Sequence, residues 1–399
     1  MYIREAYLDF LRQNKDREQV KVLTGLRGSG KTAIFTAYMA WLADEGVPAE
    51  EILYYDCTDP DTEALFPAET FFRAIYERVL SLGRAYIFLD EIQALEGFPQ
   101  LVDHLFRLQG CDLYIAGSGL SAQLAPLQKL LPGRCLVKEV FPLSFVEMMS
   151  SGERTADVSA LLDYTEGSAM PGVQDKAQPR RELDTIISAA LFHEVTGNQA
   201  IRQGLLVKIL GLLSKDMGSL ISMDTIGKAA GRAGRPLLLK TLETYTKALE
   251  EAGLLLVLPL EAVKKDEKET LPLPPHAQRF FFPDPAMMLL FGKGEEYPYR
   301  QLFTATAMEM RRRTADLSTG MTEDGEIDLI TGKGAFRTLW QFIPNPDAPY
   351  AEKKWSTLKK APPVARKRIL TLAPQKFPDE PGMYVEHFYT WFVTGEVRY

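Results

Sequence analysis

The spacing of apolar residues alternates between two periods along the first third of the chain. Val20–Thr24 (VKVLT) is a short β-rich run that stops at Gly25. Glu51–Asp56 (EILYYD), Ala85–Asp90 (AYIFLD) and Asp112–Ala116 (DLYIA) repeat the pattern. Between them lie stretches at helical spacing, over Thr32–Asp44, Ala68–Ser81 and Pro99–Gln109. A further helix is expected over residues 2–15, where Tyr2, Ile3, Tyr7, Leu8 and Leu11 share one face. Near-continuous apolar strands that alternate with helices predict a mainly parallel sheet covered on both faces, an α/β fold.

The pattern changes after Phe141–Ser150. Residues 151–202 read as helical, interrupted at Gly167–Pro171 (GSAMP). Three helices follow, over Leu205–Lys215, Ile221–Ala230 with Ser222 as its cap, and Leu238–Ala252. Leu254–Leu258 is then a strand after Gly253, and Arg279–Phe282 can return beside it. Three helices and a hairpin are the order of a winged helix, and the charged, Pro-rich stretch 261–277 is expected to form a mobile wing tip. Residues 300–399 read as another α/β unit, with a helix over Gln301–Arg313 and strands over Glu326–Thr331, Phe336–Ile343 and Arg368–Leu372. The expected domains are therefore 1–150, 151–202 (a helical lid or connector), 203–283 (winged helix) and 284–399.

With 46% hydrophobic and 25% charged residues among 399, the chain has material for more than one core. A formal charge of −7 argues against a surface built as a whole to coat nucleic acid. Cys57, Cys111 and Cys135 follow no metal or disulfide spacing, which fits a reducing, cytoplasmic setting. No apolar run reaches the ~18 residues of a membrane span, and none is expected. His104, His193, His276 and His387 form no metal-ligand spacing.

The residues that carry chemistry lie at the strand ends. Gly25-Leu26-Arg27-Gly28-Ser29-Gly30-Lys31-Thr32 matches G-x-x-x-x-G-K-[ST], after a strand and opening a helix. Such a loop wraps phosphates in backbone N–H groups at a helix N-terminus. Lys31 then neutralises phosphate charge and the Thr32 hydroxyl ligates magnesium. Tyr86–Glu91 (YIFLDE) is an apolar strand ending in two acids. Asp90 is expected to hold the magnesium shell, and Glu91 to orient and deprotonate an attacking water. Ser118, in AGSG after the fourth strand, reads either as a sensor of the terminal phosphate or as a turn serine. Arg134 reads either as an arginine finger, in cis or from a neighbouring subunit, or as a surface arginine.

These motifs have a family resemblance. GLRGSGKT, YIFLDEIQ at 86–93, IAGSGL at 115–120, LPGR at 131–134 and FPLSF at 141–145 look like the AAA-superfamily ATPases of archaeal and bacterial type that carry a C-terminal domain of unknown function. GSAMP at 167–171 is similar to that family's Gly-x-Pro element near the nucleotide. GLLLVLPL at 253–260 and FFFPDPAM at 280–287 resemble the end of its winged helix, and GEIDLI at 325–330 with LWQFI at 339–343 its C-terminal domain. The resemblance implies an ATP-dependent switch or motor and a C-terminal restriction-endonuclease-like fold. Such nucleases need a strand-end Asp and an acid-x-Lys on the next strand to bind magnesium. Asp328 fits the first, but the second reads Gln341-Phe342-Ile343. Near the place of the helix acid stands Thr304, with Glu309 more than a turn later. The nuclease is therefore expected to be inactive.

The expected ligands are ATP and magnesium, and the expected activity is ATP hydrolysis coupled to conformational change. Two alternatives stay open, an ATP-regulated DNA-binding protein and an ATP-dependent nuclease of mobile-element or defence type. DNA contact is expected, if anywhere, through the winged helix or through the basic stretch 351–368, which holds seven basic residues and one acid. Arg134 acting in trans implies a homo-oligomer.

Overall fold

A computed structural model describes the chain apart from residues 1, 3, 151–154, 175, 197–200, 232–233, 267–269, 293–298, 364 and 395–399. Ile3 of the expected first helix and part of the expected wing tip lie outside the described residues. The chain packs into two compact units. One comprises Met1–Pro142, Met170–Gly197 and Glu251–Gly253, the other Leu143–Ala169, Asn198–Glu250 and Leu254–Tyr399.

The first unit is a five-stranded parallel sheet. Its strands are β1 (Val20–Gly25), β2 (Ile52–Asp56), β3 (Ala85–Asp90), β4 (Cys111–Ser118) and β5 (Cys135–Glu139), in the order β2-β3-β4-β1-β5. Every residue of β3 is buried, as a parallel strand covered on both faces requires. Alternate residues serve opposite faces. Val20, Val22, Ile87, Leu89, Leu113 and Ile115 pack with Phe71, Ile75, Leu101, Leu105 and Leu127 from three helices on one side. Leu23, Tyr86, Phe88, Tyr114 and Ala116 pack on the other with the helices α1 (Glu5–Gln13) and α2 (Lys31–Asp44), through Tyr7, Leu11, Ile34, Phe35 and Tyr38. Phe88 and Tyr114 stack there with centroids 4.6 Å apart.

One polar network crosses this apolar layer, at the N-terminal end of the strands. Lys21 is fully buried and pairs with Asp112 on the neighbouring strand. Asp112 also accepts from the Tyr114 hydroxyl at 2.6 Å and from the Asp16 amide at 2.9 Å. The Tyr38 and Tyr114 hydroxyls lie 3.1 Å apart. Burial pushes the Lys21 ammonium down from its usual range, against the pull of Asp112, and pushes the Tyr114 hydroxyl strongly up.

The second unit is built on an eight-stranded sheet, β13-β12-β11-β10-β9-β7-β8-β6. Helix Gln203–Lys215, strand β6 (Leu220–Ser222), helices Met223–Ala230 and Leu239–Glu251, and strands β7 (Leu256–Ala262) and β8 (Ala277–Phe281) follow one another. The strand β6 takes Ile221 and Ser222 from the start of the expected second helix, and Ser222 caps what remains by accepting from the Asp224 amide. After helix Arg300–Arg313 come β9 (Leu317–Thr322), β10 (Gly325–Thr331) and β11 (Thr338–Phe342), an antiparallel meander. Helix Ala351–Lys360 then crosses to β12 (Arg366–Thr371), parallel to β11, with β13 (Met383–His387) parallel beyond it. Strand β7 pairs with β9 in parallel, Leu260 opposite Thr319, so one sheet runs through both segments.

Removing one partner of a buried ion pair leaves the other charge uncompensated, at a cost of about 3 kcal/mol or more. Asp112→Ala is therefore expected to lower the unfolding free energy by about that amount, read from the urea midpoint followed by fluorescence. A shift below ~1 kcal/mol would mean that Lys21 finds another partner.

Candidate functional site

Strand β1 ends in a turn that only glycine can make. Gly25 has φ +144°, and a Cβ there would stand 2.2 Å from the Val140 carbonyl oxygen. Gly28 and Gly30 follow with φ +80° and +98°, so the loop Gly25–Gly30 curls back before α2 begins at Lys31. Register then places its partners. Gly25 lies opposite Ser118 on β4, and β4 lies beside β3, whose end carries Asp90.

The lysine of this loop is buried, 3% exposed. Its ammonium donates to the Gly25 and Leu26 carbonyls, both at 3.2 Å, and to Ser118 Oγ at 2.9 Å. Ser118 in turn donates to Glu91 Oε1 at 3.1 Å, and Glu91 Oε1 stands 4.0 Å from Lys31 Nζ. The Ser118 hydroxyl thus bridges the loop's cation and the acid that follows β3. Burial pushes the Lys31 ammonium down from its usual range, and Glu91, Asp90 and Glu194 oppose the shift. Asp90 is 1% exposed. Burial pushes its carboxyl up; a hydrogen bond from the Thr32 side chain opposes this, and Glu91 adds to it. Thr32 thus acts on Asp90, whose Oδ2 also accepts from the Tyr54 hydroxyl at 3.2 Å. Glu91 takes up the left-handed region, φ 45° and ψ 43°, a strained conformation for a residue with a side chain. It is held there by Ser118 on one oxygen and by Gln93 Nε2 on the other.

Three contributors left no motif in the sequence. Arg4 is buried and donates to the Ser29 carbonyl at 2.6 Å and the Phe141 carbonyl at 2.8 Å, fixing the phosphate loop to the segment after β5. Gln93 packs where a Cβ on Gly117 would stand, 2.2 Å from Gln93 Oε1. Glu194, from the one-turn π-helix Leu191–Val195, reaches the same corner of the site. A Cβ on Gly30 would stand 3.4 Å from Pro171 Cγ, so Pro171 reaches the loop.

Arg134 is elsewhere. It precedes β5, whose Cys135 lies opposite Val20 at the start of β1. That is about 16 Å of strand away from Gly25. Its guanidinium bonds the Glu18 carboxylate at 3.2 Å and the Glu18 carbonyl at 3.3 Å. Within its own chain it faces the wrong end of the sheet, and the reading in cis does not hold.

Residues 17–149 match the family model of an AAA domain. The match covers the phosphate loop, Asp90, Glu91, Ser118 and Arg134, and the five-stranded parallel sheet is consistent with a P-loop nucleotide-binding domain. A Haemophilus influenzae protein described only as uncharacterised is 28% identical over 343 residues, covering 84% of each chain. Among solved structures, the Walker-type ATPase of Pyrococcus abyssi is similar with 13% identity and a TM-score of 0.44, over 73% of this chain and 96% of that one. The DnaA of Aquifex aeolicus bound to AMPPCP has 15% identity and a TM-score of 0.29, over 61% of this chain and 86% of that one.

The residues present fit a nucleotide phosphate group and a magnesium ion. Ser29 Oγ is buried inside the loop with no hydrogen-bond partner among the described residues, and the N-terminus of the fourteen-residue helix α2 opens there. Thr32 and Asp90 offer the hard oxygen donors that magnesium takes.

The expected sites of the second unit take structural partners instead. Asp328 is 2% exposed; its Oδ2 accepts from Lys354 at 2.6 Å and from the Phe342 amide at 2.7 Å. Gln341 is buried and donates to the Glu326 carbonyl. Glu309 pairs with Arg312 and Arg313. In the basic stretch, Lys359 pairs with Glu380, Lys360 with Asp324 and Arg368 with Glu386, while Lys367 donates to the Lys359 and Ala361 carbonyls. These partners compensate much of the charge on which DNA contact through 351–368 was expected to rest.

Arg4→Met keeps the volume at position 4 but removes the donors that hold the loop, and charged hydrogen bonds contribute about 1.5–3 kcal/mol each. Affinity for ADP, measured by calorimetry, is expected to fall by about tenfold or more with the far-ultraviolet dichroism unchanged. An unchanged affinity would show that the loop keeps its shape without Arg4.

Proposed function

We propose that the first unit binds ATP with magnesium and hydrolyses it, and that turnover drives a conformational change in the protein. The observation that carries this reading is the chain Lys31–Ser118–Glu91 at the mouth of the phosphate loop, beside the pair Thr32–Asp90. A loop that only bound nucleotide would need its backbone amides, Lys31 and Thr32 with Asp90, but no acid aimed at the terminal phosphate.

Each residue then has a role set by its placement. The loop amides and Lys31 bind the phosphates, and Thr32 and Asp90 hold the metal. Magnesium supplies positive charge against the phosphate oxygens. Glu91 accepts a proton from water as the water oxygen attacks the terminal phosphorus, and the bond from that phosphorus to the ADP oxygen breaks. Ser118, bonded to both Lys31 and Glu91, positions the base relative to the cation. Preorganised charge of this kind is worth most where water is excluded, and the burial of Lys31 and Asp90 meets that condition.

Arg134 acts in this proposal on another copy of the chain. Its guanidinium is about half exposed and held by an exposed glutamate, Glu18, a pairing that costs little to break. In the second unit, the order helix, strand, helix, helix, strand, strand over residues 203–281 supports the winged-helix reading, and the meander β9–β11 followed by a crossover to parallel β12 supports an endonuclease-like fold without its chemistry. With Asp328 neutralised by Lys354 and Gln341 in place of the acid, we assign that segment to docking or transmission rather than to cleavage.

Two experiments separate these roles. Glu91→Gln keeps shape and metal but removes the base, so ATP is expected to bind with near-normal affinity while turnover falls by ~10²-fold or more; hydrolysis at the normal rate would assign the base elsewhere. Arg134→Ala is expected to slow turnover while sparing binding, and mixing it with Glu91→Gln subunits is expected to restore part of the activity, measured by phosphate release. Full activity of Arg134→Ala alone would return this residue to the surface.

A further inference from the structure

Glu194 stands beside Gly119, which follows Ser118, and its carboxylate has no hydrogen-bond partner among the described residues. The chain turns at Leu191–Val195 with the wide period of a π-helix, a form that recurs where side chains are re-aimed at functional sites. Here it points Glu194 at the corner next to Ser118. The glutamate Cγ and Cβ stand 3.4 and 3.5 Å from where Gly119 would carry a Cβ, with Ala252 Cα 3.8 Å away on the other side. A side chain at position 119 would therefore touch the methylene stem of Glu194. Both Glu194 carboxylate oxygens are buried and have no hydrogen-bond partner among the described residues. The charged groups that act on it are Lys31 from α2, Glu91 from the end of β3 and Arg27 from the phosphate loop.

A buried carboxylate with no hydrogen bond is costly. Lys31 and Arg27 offset part of that cost. A bound triphosphate brings several negative charges to the same ammonium, and two anions crowded on one cation cannot both stay ionised. We propose that Glu194 is a further residue of the nucleotide site, the counter-anion of Lys31 in the free protein, which takes up one proton from solvent when a nucleoside triphosphate enters the loop. The proposal rests on the nucleotide reading above and adds a proton to the binding reaction.

The sign of the effect follows from linkage. Burial raises the Glu194 carboxyl to about 7, with Lys31 and Arg27 holding it down and Glu91 pushing it further up. Below that pH the carboxyl is already neutral and binding takes up nothing. Above it, binding must add a proton, so affinity falls as pH rises, by up to about tenfold per pH unit. Glu194→Gln carries the neutral form at every pH and is expected to bind tighter above pH 7 and with a flatter profile.

The test uses the full chain and a non-hydrolysable ATP analogue with magnesium, titrated by calorimetry from pH 6 to pH 9 in buffers of different ionisation enthalpy. Wild type is expected to take up close to one proton at pH 8 and to lose about tenfold in affinity from pH 7.5 to 8.5, whereas Glu194→Gln takes up none and binds about tenfold tighter than wild type at pH 8. Equal slopes and equal affinities in the two proteins overturn the role of Glu194 while leaving the nucleotide site intact. A wild type that binds no nucleotide at any pH overturns the site itself, and this inference with it.

Discussion

The constraint on which the first unit depends is a buried ammonium. Lys31 is withdrawn from water, and a buried cation must be met by oriented dipoles or opposite charge. Its partners come from separate parts of the chain. Two are carbonyls of the loop itself, one is a hydroxyl at the end of β4, and the carboxylates lie at the end of β3 and on the distant turn Leu191–Val195. Each can reach only if β4 sits between β1 and β3 with Ser118 level with Gly25. The glycine at position 25 then has no freedom to change, since the Val140 carbonyl fills the space a Cβ would need.

The same strands carry a second set of polar contacts at their other end. Strand β1 holds Lys21 near its start and leads to Lys31 beyond its end; β4 holds Asp112 and Tyr114 near its start and Ser118 at its end. Between the two ends Val22, Leu23, Leu113, Ile115 and Ala116 are apolar and pack on the two faces of the sheet. The polar residues at the lower end fix neighbouring strands against slippage, because a shift of one residue would turn Lys21 and Asp112 into the opposite apolar layers. A stiff strand fixed at one end positions the chemistry at the other, the usual division between scaffold and site.

The second unit uses its charges differently. Arg279 is 2% exposed and reaches both Glu326 and Asp328, and Lys354 closes on Asp328 from the helix after β11. An acid compensated from two sides is poorly suited to hold a metal ion, whatever the fold around it. The high density of lysine and arginine over residues 351–368 has the same explanation, since most of these groups meet acids or carbonyls of their own unit. A count of basic residues reports charge, while partners decide how much of it faces outward.

Some of this was legible in the sequence and some was not. The phosphate loop, the acids after β3, Ser118 and the alternation of strands and helices are local patterns, because backbone conformation and strand-end placement are dictated within a few residues. The sequence by itself therefore determined the α/β class, the glycine-rich loop Gly25–Thr32 and the acids Asp90 and Glu91 at the end of β3. It did not determine which end of the sheet Arg134 would occupy, that Arg4 would hold Ser29, that Gln93 would fill the space beside Gly117, or that Glu194 would stand beside Gly119 and act on Lys31. It also did not show that β7 would pair with β9 and carry one sheet through both segments of the second unit. Those facts depend on strand order and on contacts between residues far apart in the chain, and a single sequence carries no signal for either. Tertiary structure decided them, because only the folded chain sets the charges and shapes that each buried polar group must meet.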